Sequence, residues 1–287
     1  MPYGRKLKNY LYILPAFALY GLLILRSIID TFTLSLYKWT GVGPKTFVGL
    51  ANFQKLFLDM RFWNCIKNNM IWTGFYMVLP LGIGLLLATL LAQKRVRGRT
   101  FFRAVYFLPC VLSFVVVGIV WGWIYHPTFG VLNAILKFLG LGFLARGWLG
   151  DSHWALYCVI LAGSWTYYGF CMVILISALQ NIEPLLYDAV KIDGANKLQS
   201  FWFVTLPSLK NVLTFLMILS LANSFKIFDI VYVMTKGGPY LSTEVTSLYL
   251  YNKAFSQSQI GYASSISIVL MGIVSFMAIN LIRLRES

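Results

Sequence analysis

The sequence predicts an all-α polytopic membrane protein, and two features of its composition carry that prediction. Hydrophobic residues make up 59% of the 287 residues and charged residues only 11%, which is too few for an ordinary water-facing surface. The apolar residues are gathered into stretches of about 20, the length of helix that crosses a ~30 Å hydrocarbon core. We predict a single transmembrane domain over residues 1–287, with six spans at about 10–33, 70–92, 104–125, 154–178, 208–234 and 262–282.

The basic residues indicate how these spans are oriented. A net charge of +15 would suggest nucleic-acid binding in a soluble protein, but here Lys and Arg lie mostly between apolar stretches. The loop at 93–103 holds five basic residues and no acidic one. Short cytoplasmic loops retain Lys and Arg, so we expect this loop, the loop 179–207 and both termini in the cytoplasm. The chain should be a multi-pass protein of the cell's inner (cytoplasmic) membrane. We expect it to contact the lipid bilayer and not to bind nucleic acid.

Sequence motifs give no sign of catalysis in this chain. No GxxxxGK[ST] phosphate-binding loop occurs, so the chain is not expected to hydrolyse ATP itself. The four cysteines show no CxxC spacing, and the two histidines are too few and too isolated for a metal site. We therefore expect no catalytic residue, metal or cofactor in this chain.

The cytoplasmic loop 179–207 has the pattern of a helix–turn–helix elbow. Pro184 suits a first helical position, and Gly194 suits the left-handed residue that closes a helix. Asn196 can cap a second short helix, and Pro207 can open the next span. Leucines and other apolar residues recur at helical spacing on one face of the first helix. From these residues alone, a segment lying on the membrane surface is the favoured interpretation.

The spacing within this loop resembles the coupling loop of ABC importer membrane subunits, which reads E-A-A, three residues, Gly, nine residues, I-x-L-P. Here Asp188-Ala189-Val190 is followed by Gly194, and Val204-Thr205-Leu206-Pro207 stands at the expected distance. Asp replaces Glu, and Val replaces both the second Ala and the Ile. The resemblance implies that the elbow docks into a groove on an ATPase subunit. The residues that it implies for this coupling are Tyr187, Asp188, Ala189, Val190, Ile192, Asp193, Gly194 and Pro207.

The resemblance extends along the whole chain to the sugar-uptake branch, which includes maltose-type permeases. The matching stretches are FVGLANF at 47–53, RGR at 97–99, LP at 108–109, DGA at 193–195, TKGGP at 235–239 and GYA at 261–263. It implies a type I importer permease fold of six helices and a sugar substrate. It also implies four partners: a second permease subunit, two ATPase subunits that bind ATP and Mg²⁺, and a solute-binding protein outside the membrane.

Two other functions stay open at this stage. An importer of glycerol phosphate or another polyol derivative would share the same motifs, and cationic groups near the cavity would favour it. A proton- or sodium-coupled carrier would need broken helices and carboxylates at the membrane midplane, and the sequence shows no sign of them.

Four charged residues are expected at membrane depth. Arg26 and Asp30 are four apart on the first span, and Lys226 and Asp229 are three apart on the fifth, so each pair shares a helix face. Charges are costly in hydrocarbon. Self-neutralising structural pairs are the favoured interpretation, with a role in an outer gate or substrate path as the alternative.

Two helix faces form the candidate substrate site. Hydroxyl and amide groups with aromatic rings are the usual ligands of sugars, although small and polar residues also pack membrane helices together. An ungapped match to the maltose-type permease places the residues of these two faces on substrate-lining positions. Most of these residues differ from those of the maltose type, which indicates a different sugar. The residues are Gly163, Thr166, Tyr167 and Phe170 on the fourth span, and Ser220, Asn223 and Ser224 on the fifth.

Overall fold

The computed structural model describes residues 3–92 and 97–286, with side chains described for 12–92 and 97–283. The chain is mainly helical, as predicted. The helices are α1 Tyr3–Tyr20, α2 Arg26–Ser35, α3 Ala51–Phe57, α4 Met60–Ala92, α5 Arg99–Val111, α6 Phe114–Ile124, α7 Val131–Phe138, α8 Ala155–Gln180, α9 Pro184–Ile192, α10 Lys197–Ser200, α11 Leu206–Ser208, α12 Lys210–Lys226, α13 Asp229–Met234, α14 Thr246–Tyr251 and α15 Ile260–Glu286. Residues 93–96 of the predicted basic loop lie outside the described ranges.

Short irregular elements connect these helices. Turns of π-helix occur at Gly21–Leu25, Phe201–Thr205 and Asn252–Ser256, and a 3₁₀ turn at Gly142–Leu144. Strands β1 (Tyr37–Lys38) and β2 (Thr46–Phe47) form an antiparallel hairpin, which the sequence analysis did not predict.

Four helical segments are long and apolar enough to cross a membrane. They are Tyr12–Ser35, α4, α8 and Ile260–Arg283. Two further stretches qualify only as bent pairs: α5 with α6 at 97°, and Lys197–Ser208 with α12 at 66°. The described chain therefore has four to six candidate spans, depending on whether each bent pair is one span.

The span predicted at 104–125 is not one continuous helix. Pro109 lies in the last turn of α5, and Leu112 and Ser113 are extended (ψ 140° and 147°). The Ser113 side chain then accepts a hydrogen bond from the Val116 N–H and caps α6. Because proline cannot donate within a helix and serine favours a cap, the sequence here ends one helix and starts another.

The span predicted at 208–234 is also broken. Helix α12 ends at Lys226, Ile227 is extended (φ −62°, ψ 123°), and α13 starts at Asp229. Helix α4, in contrast, begins at Met60, well before the predicted start near residue 70.

The contacts divide the chain into two compact units. The first contains residues 3–62 and 250–273. Within it, the Asn52 side-chain amide donates to the backbone oxygens of Ser35 and Tyr37 at 2.7 and 3.0 Å. The Tyr262 hydroxyl donates to the Asp59 carboxylate at 2.6 Å. The Asn52 bonds fasten α3 to the β hairpin and its flank, and the Tyr262 bond fastens the start of α15 to the turn between α3 and α4.

The second unit, 63–249 and 274–286, is built around α8. Most of α8 is buried among α5, α6, α12 and α13. Gly169 allows the close crossing of α5, since a Cβ there would lie 2.5 Å from the Tyr106 backbone oxygen. Gly84 allows a similar approach of α4 to α8, since a Cβ there would lie 2.8 Å from the Cys171 Cβ. The helix is therefore held on several sides by backbone-level contacts.

Polar side chains of α4 bond to α12, to α14 and to the segment just before α14. The Asn69 amide donates to the Ser224 backbone oxygen at 2.7 Å, and its oxygen accepts from the Thr246 N–H and hydroxyl at 2.9 Å. Asn68 donates to the backbone oxygen of Glu244 at 2.8 Å. Buried amides with their hydrogen-bonding capacity used fix helix positions, so α12 is anchored to α4 one turn from its end.

Candidate substrate cavity and coupling elbow

The first helix of the elbow forms where the sequence predicts it. Pro184 is the first residue of α9. The helix ends in a Schellman motif: the Gly194 N–H donates to the Lys191 oxygen at 3.0 Å, and the Ala195 N–H donates to the Val190 oxygen at 3.1 Å. Gly194 has φ +79°, a conformation that glycine adopts with little cost. The predicted helix end is confirmed.

The second arm of the elbow is tied to the first. Asn196 and Gln199 form the predicted cap as a reciprocal capping box. The Tyr187 and Thr205 hydroxyls are 3.0 Å apart and hydrogen-bonded. Pro207 lies within α11, near the end of the helical stretch Lys197–Ser208 and before the 66° bend that leads into α12, so it does not open the predicted span.

The apolar face of α9 is largely exposed among the residues that the structure describes. Leu185 is 68% exposed and Ile192 is 86% exposed. Asp188 is paired with Lys191 at 2.9 Å, and both side chains are mostly exposed. Of the other implied coupling residues, Ala189 and Asp193 are exposed and Val190 is half-buried. The elbow thus presents leucine and isoleucine side chains that the described residues leave largely exposed.

A cavity of about 450 Å³ lies in the second unit where the two helix breaks meet. Leu112 belongs to the first break, and Ile227 and Phe228 to the second. The remaining lining residues are Tyr76, Cys110, Phe114, Thr166, Tyr167, Phe170, Leu219, Asn223, Lys226 and Asp229. The two predicted helix faces, on α8 and α12, contribute to the same cavity.

One wall of the cavity is a stack of aromatic rings. The ring of Tyr167 lies 5.4 Å from that of Tyr76 with only 7° between their planes. The Tyr167 ring also stacks against that of Phe170, at 5.7 Å between centroids. Thr166 and Asn223 add a hydroxyl and an amide to the lining. Four of the seven predicted site residues therefore line the cavity.

The other three do not line it. A Cβ on Gly163 would lie 2.8 Å from the Tyr76 hydroxyl, so this glycine makes room for α4. Ser220 and Ser224 are fully buried. The Ser224 hydroxyl donates to the Leu221 backbone oxygen at 2.8 Å and also contacts the Thr73 hydroxyl. For Gly163 and Ser224, helix packing is the interpretation that the contacts support.

Several buried polar atoms around the aromatic wall lack partners. The Tyr76, Tyr167 and Ser220 hydroxyls have no hydrogen bond to any residue that the structure describes. The Tyr167 hydroxyl faces Ser220 and Asn223. A buried polar group left unsatisfied costs about 1–3 kcal/mol, so such atoms are normally satisfied by water or by a ligand. These three hydroxyl oxygens have almost no accessible surface, so they lie behind the cavity wall and do not face a molecule bound in the cavity.

The two predicted charge pairs differ. Arg26 and Asp30 form the predicted ion pair, with 3.7 Å between Nε and Oδ2, on an exposed helix. The predicted pairing of Lys226 with Asp229 is wrong: within the described ranges no ion pair joins them. The cause is the extended Ile227, which removes the shared helix face, and both charges instead line the cavity.

Residues 80–285 match the family model described as the binding-protein-dependent transport system inner membrane component. The chain belongs to this family. It is 36% identical over 283 residues to the probable ABC transporter permease protein YurN of Bacillus subtilis, covering 98% of this chain and 96% of the relative. Helices suited to membrane crossing agree with an inner membrane component. The chain is therefore an ABC importer permease and a transport subunit.

Several relatives carry substrate names, and two of those named for sugars align with almost the whole chain. The permease is 35% identical to the lactose transport system permease protein LacF of Rhizobium radiobacter, covering 94% of this chain and 91% of that one. It is 30% identical to the arabinooligosaccharides transport system permease protein AraP of Bacillus subtilis, covering 99% and 90%.

Solved structures support the fold. A bacterial ABC transporter that imports the acidic polysaccharide alginate has a chain that matches with a TM-score of 0.83 and 21% identity, covering 99% of this chain and 96% of that one. At this identity the match shows that the permease has the fold of an ABC importer membrane subunit.

Sequence reasoning missed several cavity residues of the permease. Cys110, Leu112 and Phe114 surround the first helix break, which Pro109 and Ser113 could have revealed as a stop followed by a cap. No comparable signal marks the second break, since Ile227 and its neighbours are neither glycine nor proline. Tyr76 lies within a continuous apolar helix and carries no sequence signal of its position.

Proposed function

We propose that this permease is one of two similar membrane-spanning subunits of an ATP-driven importer for a sugar or oligosaccharide. The observation that carries the proposal is the cavity, because stacked aromatic rings beside hydroxyl and amide groups are the usual surroundings of a bound sugar. The names of the lactose and arabinooligosaccharide relatives support the same substrate class.

The rest of the assembly follows from membership of the family. A solute-binding protein delivers the sugar outside the membrane, and two ATPase subunits bind ATP and Mg²⁺ on the cytoplasmic side. The whole chain acts as one transmembrane domain of six spans, each bent pair counting as one, with both termini in the cytoplasm. The basic loop ending in Arg97, Arg99 and Arg103 supports this orientation.

In this proposal the elbow at 179–207 couples the ATPases to the cavity. The exposed leucine and isoleucine face of α9 enters a groove on an ATPase subunit and becomes buried there. When ATP closes the ATPase pair, the elbow moves with it and turns the cavity from the cytoplasm to the outside; hydrolysis reverses the change. The Tyr187–Thr205 bond keeps the two arms of the elbow together during this motion.

A carrier without an ATPase is the less supported alternative. Its rejection from the sequence relied on an absence of broken helices, and the described chain does contain two broken helices and a carboxylate at the cavity. Family membership is the reason to prefer an ATP-driven importer. An importer of glycerol phosphate fits the same family, and Lys226 could face a phosphate, but Asp229 lines the same cavity and would repel it.

Uptake by the purified importer tests the proposal. The permease, its partner permease and the ATPases are reconstituted in vesicles with ATP inside and the binding protein outside. Labelled mono- and oligosaccharides are compared with glycerol 3-phosphate. ATP-dependent accumulation of a sugar is the expected result. Accumulation of glycerol phosphate alone would establish the alternative substrate, and uptake that persists without ATP and responds to an ion gradient would establish a carrier.

Substitutions in the cavity wall test the site itself. Tyr167→Ala removes the central ring of the stack, and Asn223→Ala removes the amide, each a loss of about 1–3 kcal/mol of substrate interaction. Sugar uptake at low concentration should fall about 10- to 100-fold, while assembly and basal ATP hydrolysis persist. Ser177→Ala, on an exposed part of α8 outside the cavity, is the matched control. Unchanged uptake in both cavity variants would leave these residues as helix packing only.

A further inference from the structure

The break between α12 and α13 places two opposite charges in one cavity without pairing them. Lys226 is the last residue of α12 and Asp229 is the first of α13. In a continuous helix residues three apart share a face, but the extended Ile227 separates them. Both line the cavity, and within the part of the chain that the structure describes neither has a hydrogen-bond or ion-pair partner.

These two charges restrict what the cavity can hold. An ammonium group only donates hydrogen bonds, and an ionised carboxylate only accepts them. A sugar hydroxyl does both, so it can accept from Lys226 and donate to Asp229 at once, or neighbouring hydroxyls can divide these roles. An anionic group would be attracted by Lys226 and repelled by Asp229, and a cationic group would be attracted by Asp229 and repelled by Lys226. Both effects are strong where water is scarce.

Resting on the proposed function, we propose that Lys226 and Asp229 are specificity-determining residues that select a net-neutral, hydroxyl-rich sugar, with Asp229 excluding acidic and phosphorylated sugars. The aromatic wall of Tyr167 and Phe170 binds the apolar face of the ring, and the two charges bind its hydroxyl edge.

The test uses the assembled importer without its binding protein, so that the cavity alone selects. The probes are a neutral sugar found in the uptake screen and the same sugar carrying a carboxylate or a phosphate at its primary alcohol. Binding is measured by equilibrium dialysis. The wild type should bind the neutral sugar at least about 10-fold more tightly than either acidic form.

The two substitutions should differ in a way that a purely structural role does not produce. Asp229→Asn should reduce the preference against acidic sugars by about 10-fold or more. Lys226→Gln should weaken binding of the neutral sugar by about 10- to 100-fold, the loss expected for a hydrogen bond to a charged group, and should not admit acidic sugars. Lys137→Gln and Asp151→Asn, in the loop region between α6 and α8 and outside the cavity, are the charge-matched controls.

Each outcome decides the inference. Equal binding of neutral and acidic sugars by the wild type, or an unchanged preference in Asp229→Asn, would overturn it while leaving sugar import intact. Asp229→Glu keeps the carboxylate and should keep the exclusion. If the Asn and Glu variants both fail to assemble with the partner permease, the charge belongs to the subunit interface and the inference is wrong. Failure of the proposed function is seen separately, as no ATP-driven sugar uptake in the initial screen.

Discussion

Replacement of Gly194 by Val should uncouple the elbow from transport. Gly194 has φ +79°, and no atom lies within 4 Å of the position that a Cβ would take. Because the space is open, the cost of a side chain at this position comes from the backbone conformation. A left-handed conformation costs an L-residue about 1–2 kcal/mol, and a β-branched residue is at the upper end.

The elbow has little stability with which to offset that cost. Helix α9 is only nine residues long, which is too short to be stable alone, and its apolar side chains are mostly exposed. If Val moves to an ordinary φ, the two Schellman hydrogen bonds are lost, at about 0.5–1.5 kcal/mol each. Either way roughly 1–3 kcal/mol is removed, which changes the population of the docked geometry about 5- to 150-fold.

The assay compares three substitutions at one position. Gly194→Asn should be close to wild type, because asparagine tolerates the left-handed region; Gly194→Ala should be intermediate; Gly194→Val should be lowest. Reconstituted importers are measured for sugar uptake, ATP hydrolysis and recovery of the ATPases with the permease. In the Val variant the subunit should still insert, while transport falls and the ATPases either detach or hydrolyse ATP without uptake.

Normal transport by the Gly194→Val importer with its ATPases bound would refute the coupling role of the elbow. Equal loss in the Val and Asn variants would also count against the reasoning, because it would show that any side chain is rejected and that backbone conformation is not the cause.

Two other predictions concern topology and packing. With the native cysteines replaced, a cysteine introduced by Arg97→Cys should resist a membrane-impermeant thiol reagent in intact cells, and one introduced by Tyr240→Cys should react. The reverse labelling pattern would exclude the proposed orientation. Gly169→Ala should lower the melting temperature of the importer, since overpacking against the backbone of α5 costs about 1–3 kcal/mol. Gly82→Ala is the control, because no described atom outside its own helical turn lies within 4 Å of the added Cβ, and it should be neutral or stabilising. Equal melting temperatures for the two variants would contradict the close crossing of α5 and α8.

Local signals in the sequence were reliable where the chain itself determines the conformation. Pro184, Gly194 and Asn196 act through their own backbone preferences, and each occupies the predicted position in the elbow. The Arg26–Asp30 pair formed for the same reason, because spacing on an unbroken helix fixes proximity.

Positions that depend on distant packing were not predictable in this way. The break at Ile227 has no helix-breaking residue, and its neighbours are held by bonds from elsewhere, such as Asn69 to the Ser224 backbone and the Ser247 hydroxyl to the Phe225 backbone. Helical spacing therefore paired Lys226 with Asp229, and the break at Ile227 removed the face that they would have shared. The spacing of residues on a helix face does not reveal where that helix stops.

The arrangement of α8 and α12 explains how one elbow could move both walls of the cavity. Helix α8 runs from the aromatic wall at Tyr167 to its end at Gln180, just before the elbow, a distance of about 20 Å at 1.5 Å per residue. Helix α12 returns from the elbow to Lys226 at the same cavity. At its far end α12 is held to α4 through Asn69, whereas its near end follows a 66° bend. A helix fixed at one end and displaced at the other turns about the fixed end, so a push on the elbow changes the angle of α12. The unwound residues between Lys226 and α13 lie beside that fixed point, where a small change of angle is enough to alter the cavity lining.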